Sequence, residues 1–216
     1  MLKGINKVVK TIIYWDFFFN SAWGLLSPVF AIFLVQGVAS GNAAKGAEVA
    51  GFAALIFWGV KSLLQIPIGA YLDKNHGEKD DFWFGVVGSF LSGLIPFGFI
   101  FARLPEHIYL LQIGHAVAMS MIVPSLYAIF TRHIDKGKEA YEWSVDSTVL
   151  GFGVGITGAL GGLIAARFGF TSVFVLVGIL NLSAGFFLFA IKKSMSSKNI
   201  GVPRVPPIKS IDITEV

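Results

Sequence analysis

Apolar residues gather into six long runs, roughly 11–37, 47–72, 82–103, 108–131, 141–166 and 171–191. A helix rising 1.5 Å per residue needs about 20 residues to cross a hydrocarbon core about 30 Å thick, so each run is long enough to span a membrane. The interruptions are polar or turn-forming: Ser40-Gly41-Asn42, the charged stretch Asp73 to Asp81, Leu104-Pro105-Glu106, the stretch Arg132 to Glu139, and Arg167-Phe168-Gly169-Phe170. After Lys193 the apolar pattern stops, and 194–216, with Val202-Pro203-Arg204-Val205-Pro206-Pro207, cannot bury apolar surface. The pattern predicts an all-α membrane protein: a domain of six transmembrane helices over residues 1–193 and a disordered tail over 194–216.

Composition excludes the soluble alternative. Of 216 residues, 55% are apolar and 14% charged, and the mean hydropathy is +0.72, too little polar surface to cover a soluble core of this size. The lack of cysteine removes disulfides, thiolate metal sites and cysteine nucleophiles together. The net charge of +4 reads as topology. Of 17 lysines and arginines, 13 fall in the N-terminal segment, the second and fourth interruptions and the stretch from Lys192 onward; only Lys45, Arg103 and Arg167 lie on the other side. Basic loops resist export, so both termini are expected in the cytoplasm, with the chain integral to the cell membrane. The first run lacks a small-residue cleavage site and is read as a retained helix. Basic residues spread over loops, without a patch or interleaved aromatics, argue against nucleic acid as a partner.

Charged groups in hydrocarbon are costly, and four stand out, away from the ends of the runs: Asp16, Lys61, His115 and Asp146. In the first helix Asp16, Asn20, Trp23, Ser27 and Ala31 share a face, which lines either a water-filled cavity or a helix contact. Lys61 lies 13 residues after Glu48 and 12 before Asp73, near the bilayer midplane, where snorkelling cannot carry its amine to a surface. Its candidate partners are Asp16, Asp146 and Gln65; the ion pair could fix helix register or hold a substrate. His115 shares a face with Gln112 and Met119. Asp146 follows Glu142 by one turn. In the fifth run Gly151, Gly155, Gly158 and Gly162 form one stripe, a surface for close approach of another helix.

The loop after the second helix reads Gly69-Ala-Tyr-Leu-Asp73-Lys74-Asn-His-Gly77-Glu-Lys79. It resembles the signature loop of the major facilitator superfamily, G-x-x-x-D-[RK]-x-G-x-[RK], in sequence and in position. The run Gly153 to Gly162 is similar to the family's fifth-helix motif ending G-P-x-x-G-G. Gly161 and Gly162 match its last pair, while Thr157 and Gly158 replace the usual glycine and proline. In the fourth helix Leu110 stands where the family's R-x-x-Q-G has arginine, so the resemblance does not imply proton-driven export. It covers residues 1 to about 192 and implies one six-helix half with both termini inside. Family transporters join two such halves and bind substrate between them.

The resemblance implies a secondary transporter of a small solute, in the lipid bilayer, working by alternating access with a second copy of itself or another six-helix half. Asp16, Asn20, Lys61, Gln65, Gln112, His115 and Asp146 are the candidate substrate or ion contacts. Gly69, Asp73, Lys74, Gly77, Lys79 and Arg132 would form a conformational latch, and the stripe Gly151, Gly155, Gly158 and Gly162 a packing face. The alternative is a non-transporting accessory protein or degenerate half. An enzyme is not expected: H-E-x-x-H, G-x-S-x-G and paired catalytic aspartates are all missing. No cofactor or metal is expected.

Overall fold

The computed structural model of the chain describes residues 4–74 and 78–196, with side chains as far as Lys192. Helix α1, Lys7–Phe33, starts where the Asn6 side chain accepts a hydrogen bond from the Val9 amide at 3.0 Å, capping the first turn. It runs on through a wider π-helical turn, Leu34–Val38, and stops at Ser40 and Gly41, both with positive φ (51° and 85°). Helix α2 is Ala43–Lys74, α3 Glu78–Phe101, α4 Pro105–His133, α5 Glu139–Phe187 and α6 Phe189–Ser196. Pro105 opens α4 at the position where a missing N–H costs nothing. Most of the expected 194–216 tail, residues 197–216, lies outside the described residues, as does Gly77 of the signature loop.

Among the described residues five helical stretches are long and apolar enough to cross a membrane, the last reaching from Glu139 to Lys192. The fifth and sixth runs of the sequence therefore share one stretch, broken at Gly169, where φ is 79° and ψ 170°. Such a conformation is open to glycine and strained for any other residue. A straight α5 would measure roughly 70 Å, more than twice the hydrocarbon thickness. Contacts along α1 show how the length is used. On one side Ser21 meets Gly153, Gly24 meets Val154, and Leu25 meets Gly161, so the two numberings rise together. On another side Phe33 packs on Phe174 with ring centres 4.8 Å apart and Phe18 on Phe187 at 5.0 Å, so the numberings run opposite. The chain turns at Gly169 and its two arms, 139–168 and 170–187, lie along α1 in opposite directions.

Small residues set the closest approaches, as expected where lipid leaves little hydrophobic force between helices. A Cβ on Gly161 would fall on the Leu25 backbone, and one on Gly24 would come within 3.0 Å of the Val154 Cα. Helix α3 lies on α4 through Gly85 and Gly88, the latter against the Ala118 carbonyl, and on the second arm of α5 through Gly93 against Leu182. Helix α2 touches chiefly α4, with Gly69 facing Pro124 at 3.7 Å, and leaves Leu55, Trp58, Leu63 and Ile66 exposed.

The glycine stripe is placed differently from what its spacing suggests. Gly151, Gly155 and Gly162 have nothing within 4 Å of a hypothetical Cβ, and Gly158 has only the Gly24 carbonyl at 3.7 Å. Gly153 and Gly161, off that stripe, make the tight contact with α1. Two residues are about 200° of rotation, so Gly151 and Gly153 point nearly opposite ways.

Candidate functional site

Two polar clusters lie inside the apolar part of the bundle. In the first, α1 contributes Asp16 and Asn20. The Asn20 side-chain amide donates to the Asp16 carboxylate at 2.5 Å and to the Asp16 carbonyl at 3.1 Å. Asp146, on the first arm of α5, hydrogen-bonds to Asp16, and Tyr127 of α4 is close enough to feel both charges. Two carboxylates have no donor between them, so this contact needs a shared proton or a cation. One oxygen of Asp146 is buried without a partner.

In the second cluster, the His115 ring of α4 stacks on Trp23 of α1, centres 4.0 Å apart and planes 16° from parallel. Its other neighbour is Phe57 of α2, at 4.9 Å. One turn along α2, the Lys61 ammonium sits 4.6 Å from the centre of the Trp58 ring and acts electrostatically on His115. The indole nitrogen of Trp23 and Nε2 of His115 are both buried with no hydrogen-bond partner. Trp23 follows Asp16 by seven residues, so the clusters are separated by about 10 Å along α1.

The structure therefore sorts the sequence-predicted residues into two groups. Asp16, Asn20 and Asp146 come together, as do Lys61 and His115. The expected bond between Lys61 and an aspartate is not made: the two aspartates engage each other, and among the described residues Lys61 has no carboxylate within ion-pairing distance. Gln65 and Gln112 are half-buried on α2 and α4, each one turn from the Lys61–His115 cluster. Among the described residues no three histidine or carboxylate side chains converge as metal ligands would.

A third set of polar residues closes the end of the bundle that carries the N terminus. Arg132 on α4 pairs with Asp81 on α3, whose side chain is fully buried. His133 approaches Glu78 at 3.4 Å. The Asn6 side chain donates to the His133 carbonyl and to Asp135 at 3.3 Å. The Lys138 ammonium donates to the Gly4 carbonyl at 3.0 Å, and the Asp135 amide to Glu142 at 3.3 Å. Burial works to raise the Asp135 carboxyl, but hydrogen bonds with Asn6 and Glu142 and the charge of Lys138 outweigh it and hold the group below the usual carboxylate range. Of the expected latch, Gly69 faces Pro124, Asp73 and Lys74 end α2, Lys79 is exposed in the first turn of α3, and Arg132 meets Asp81.

Asp81, His133 and Glu142 are site residues that the apolar pattern does not reveal. A signal was present. Acidic residues crowd the first turn of α3 and basic ones the last turn of α4. These ends favour those charges through the helix dipole, and antiparallel neighbours bring them face to face.

A bundle of membrane-length helices with ionisable groups held in its interior is the architecture of a polytopic membrane protein. The family model of the Major Facilitator Superfamily matches residues 16–212, and the chain belongs to that family. No curated protein matches the sequence.

Proposed function

We propose that the chain is one six-helix half of a secondary transporter, moving a small solute by alternating access against a second copy of itself. The observation that carries this reading is the surface that the protomer leaves uncovered. The polar clusters are built from α1, α2, α4 and α5, and among the described residues the face of α2 that carries Leu55, Leu63 and Ile66 and the outer stripe of α5 are left uncovered. Ser147, Thr148, Gly151, Phe152, Gly155 and Ile156 border a shallow open groove on that side. A second unit seated there would close the cavity and use the small residues for close approach. A two-fold axis would repeat the contact of α2 with the partner's α5 twice. Six spans follow if each arm of α5 crosses the membrane, and the bias of basic residues supports both termini in the cytoplasm.

In this arrangement the loop from Gly69 to Lys79 is the latch, with Asp73 meeting the N-terminal end of the partner's α5, where the helix dipole favours a negative charge. The test uses the cysteine-free background. Cysteines at Gly69 and along 144–147 should crosslink between chains, and Gly155→Leu should weaken the dimer while leaving insertion intact. Crosslinks confined to one chain, together with a strict monomer in nanodiscs and no solute flux in proteoliposomes, would favour the non-transporting half. Labelling of a cysteine at position 42 from the cytoplasmic side alone would reverse the topology.

A further inference from the structure

The Lys61–His115 cluster has an unusual inventory of hydrogen-bonding groups. It offers an ammonium, an indole N–H and an imidazole nitrogen, and no carboxylate. An indole nitrogen can only donate, and an ammonium can only donate. Two of the three nitrogens, on Trp23 and His115, are buried with no hydrogen-bond partner, and that of Trp23 can only donate. An ammonium within a membrane span without a counter-ion costs several kcal/mol, and the two carboxyl groups that could have served, Asp16 on α1 and Asp146 on α5, are engaged with each other. The cluster is short of one negative charge and of acceptor oxygens.

We propose that this cluster binds the carboxylate of a planar, apolar organic monoanion, and that this is the class of solute the protein handles. A carboxylate accepts only, and its two oxygens can serve Lys61 together with one of the orphaned nitrogens. One cation favours one negative charge: a dianion would leave the complex charged in a medium of low dielectric, and phosphate is better matched by the planar fork of arginine. The walls specify the rest of the solute. Trp23, Phe57 and Trp58 present flat rings around the two basic groups, with Trp23 and Phe57 already stacked on His115. Aromatic faces favour a flat apolar body beside the charge. The inference rests on the transporter reading for its meaning in the cell, and its binding test does not.

The test is equilibrium dialysis of labelled benzoate against the full-length protein in nanodiscs, with empty nanodiscs as the blank. Benzoate should bind saturably, be displaced by unlabelled benzoate and 2-naphthoate, and be indifferent to benzylammonium at the same concentration. Lys61→Met should weaken binding by at least about tenfold, the scale of one charge-assisted contact, while Lys61→Arg retains most of it. Equal displacement by benzylammonium, no saturable binding to the wild-type protein, or wild-type affinity in Lys61→Met would each overturn the proposal. The wild-type comparison of anion with cation holds even if a variant fails to fold. Saturable benzoate binding without benzoate uptake into proteoliposomes supports the site and counts against the transporter reading. Uptake of a cationic solute by a protein that binds no benzoate does the reverse.

Discussion

The stretches Lys7–Val38 and Ala43–Lys74 are each 32 residues long and equally hydropathic, yet half of the most apolar part of the first is buried within the protein and only 11% of the second. Their shared hydropathy reports what each gains by leaving water for lipid. It is silent on protein contacts, because a side chain exchanging lipid for protein sheds no further water. What separates them is local. Helix α1 carries Ser21, Ala22 and Gly24 within one turn and meets Gly153 and Gly161 of α5 beside them, so backbones approach. Gly51 and Gly59 of α2 face open space. One helix is packed on several sides, and the other offers most of its surface to lipid or to a second unit.

The sharpest way to break this comparison is Gly161→Leu. Its side chain would have to enter the Leu25 backbone, which cannot yield, so the expected loss exceeds about 4 kcal/mol and most of the protein should aggregate on size exclusion in mild detergent. Normal melting of that variant would place α1 on some other face of α5. Next comes Arg132→Met, which strands the buried Asp81 carboxylate at a cost of roughly 3–5 kcal/mol; the double variant with Asp81→Leu should regain most of the lost melting temperature. A smaller effect distinguishes the two helices directly. Leu25→Ala in α1, where the residue is 2% exposed, should cost about 2–3 kcal/mol in a detergent melt. Leu63→Ala in α2, 77% exposed, should stay within about 0.5 kcal/mol. Similar losses at both positions would mean that α2 is covered in the protein as it melts, and a concentration-dependent melt of the Leu63 variant would identify the cover as another copy.

The places where sequence and structure part company have a common cause. The helices were legible because a run of apolar residues is itself the requirement for crossing lipid, and each expected run lies on a helical stretch, the first continuing into Leu34–Val38, the third passing the end of α3 by two residues and the last reaching α6. Asp16, Lys61, His115 and Asp146 were legible as exceptions to that requirement. Which of them meet was not, since a helical face gives an angle about one axis and says nothing of which neighbour occupies it; hence Lys61 faces aromatic rings where an aspartate was expected. The fifth helix carries glycines on the stripe and off it, at Gly153 and Gly161, and spacing alone cannot tell which of them face inward. Asp81 was hidden differently. At the end of a span a charge looks solvated, and only the adjacency of α3 and α4 shows that it is buried against Arg132. The break at Gly169 is the reverse case: the interruption at 167–170 was evident, but not that helix continues on both sides of a single glycine.

The contact of α1 with the first arm of α5 joins residues about 130 positions apart in the chain. A ribosome adding roughly 5–20 residues per second takes on the order of ten seconds to make that interval. Throughout it, α1 sits in the membrane with Asp16 exposed to lipid or to the insertion machinery, its partner Asp146 not yet made. The same contact that holds the finished protein together thus acts as a marker of age: nascent and truncated chains display a carboxyl group in hydrocarbon, and completed ones do not. Proteolytic surveillance that recognises polar groups within the bilayer would spare this protein only once its fifth helix had arrived.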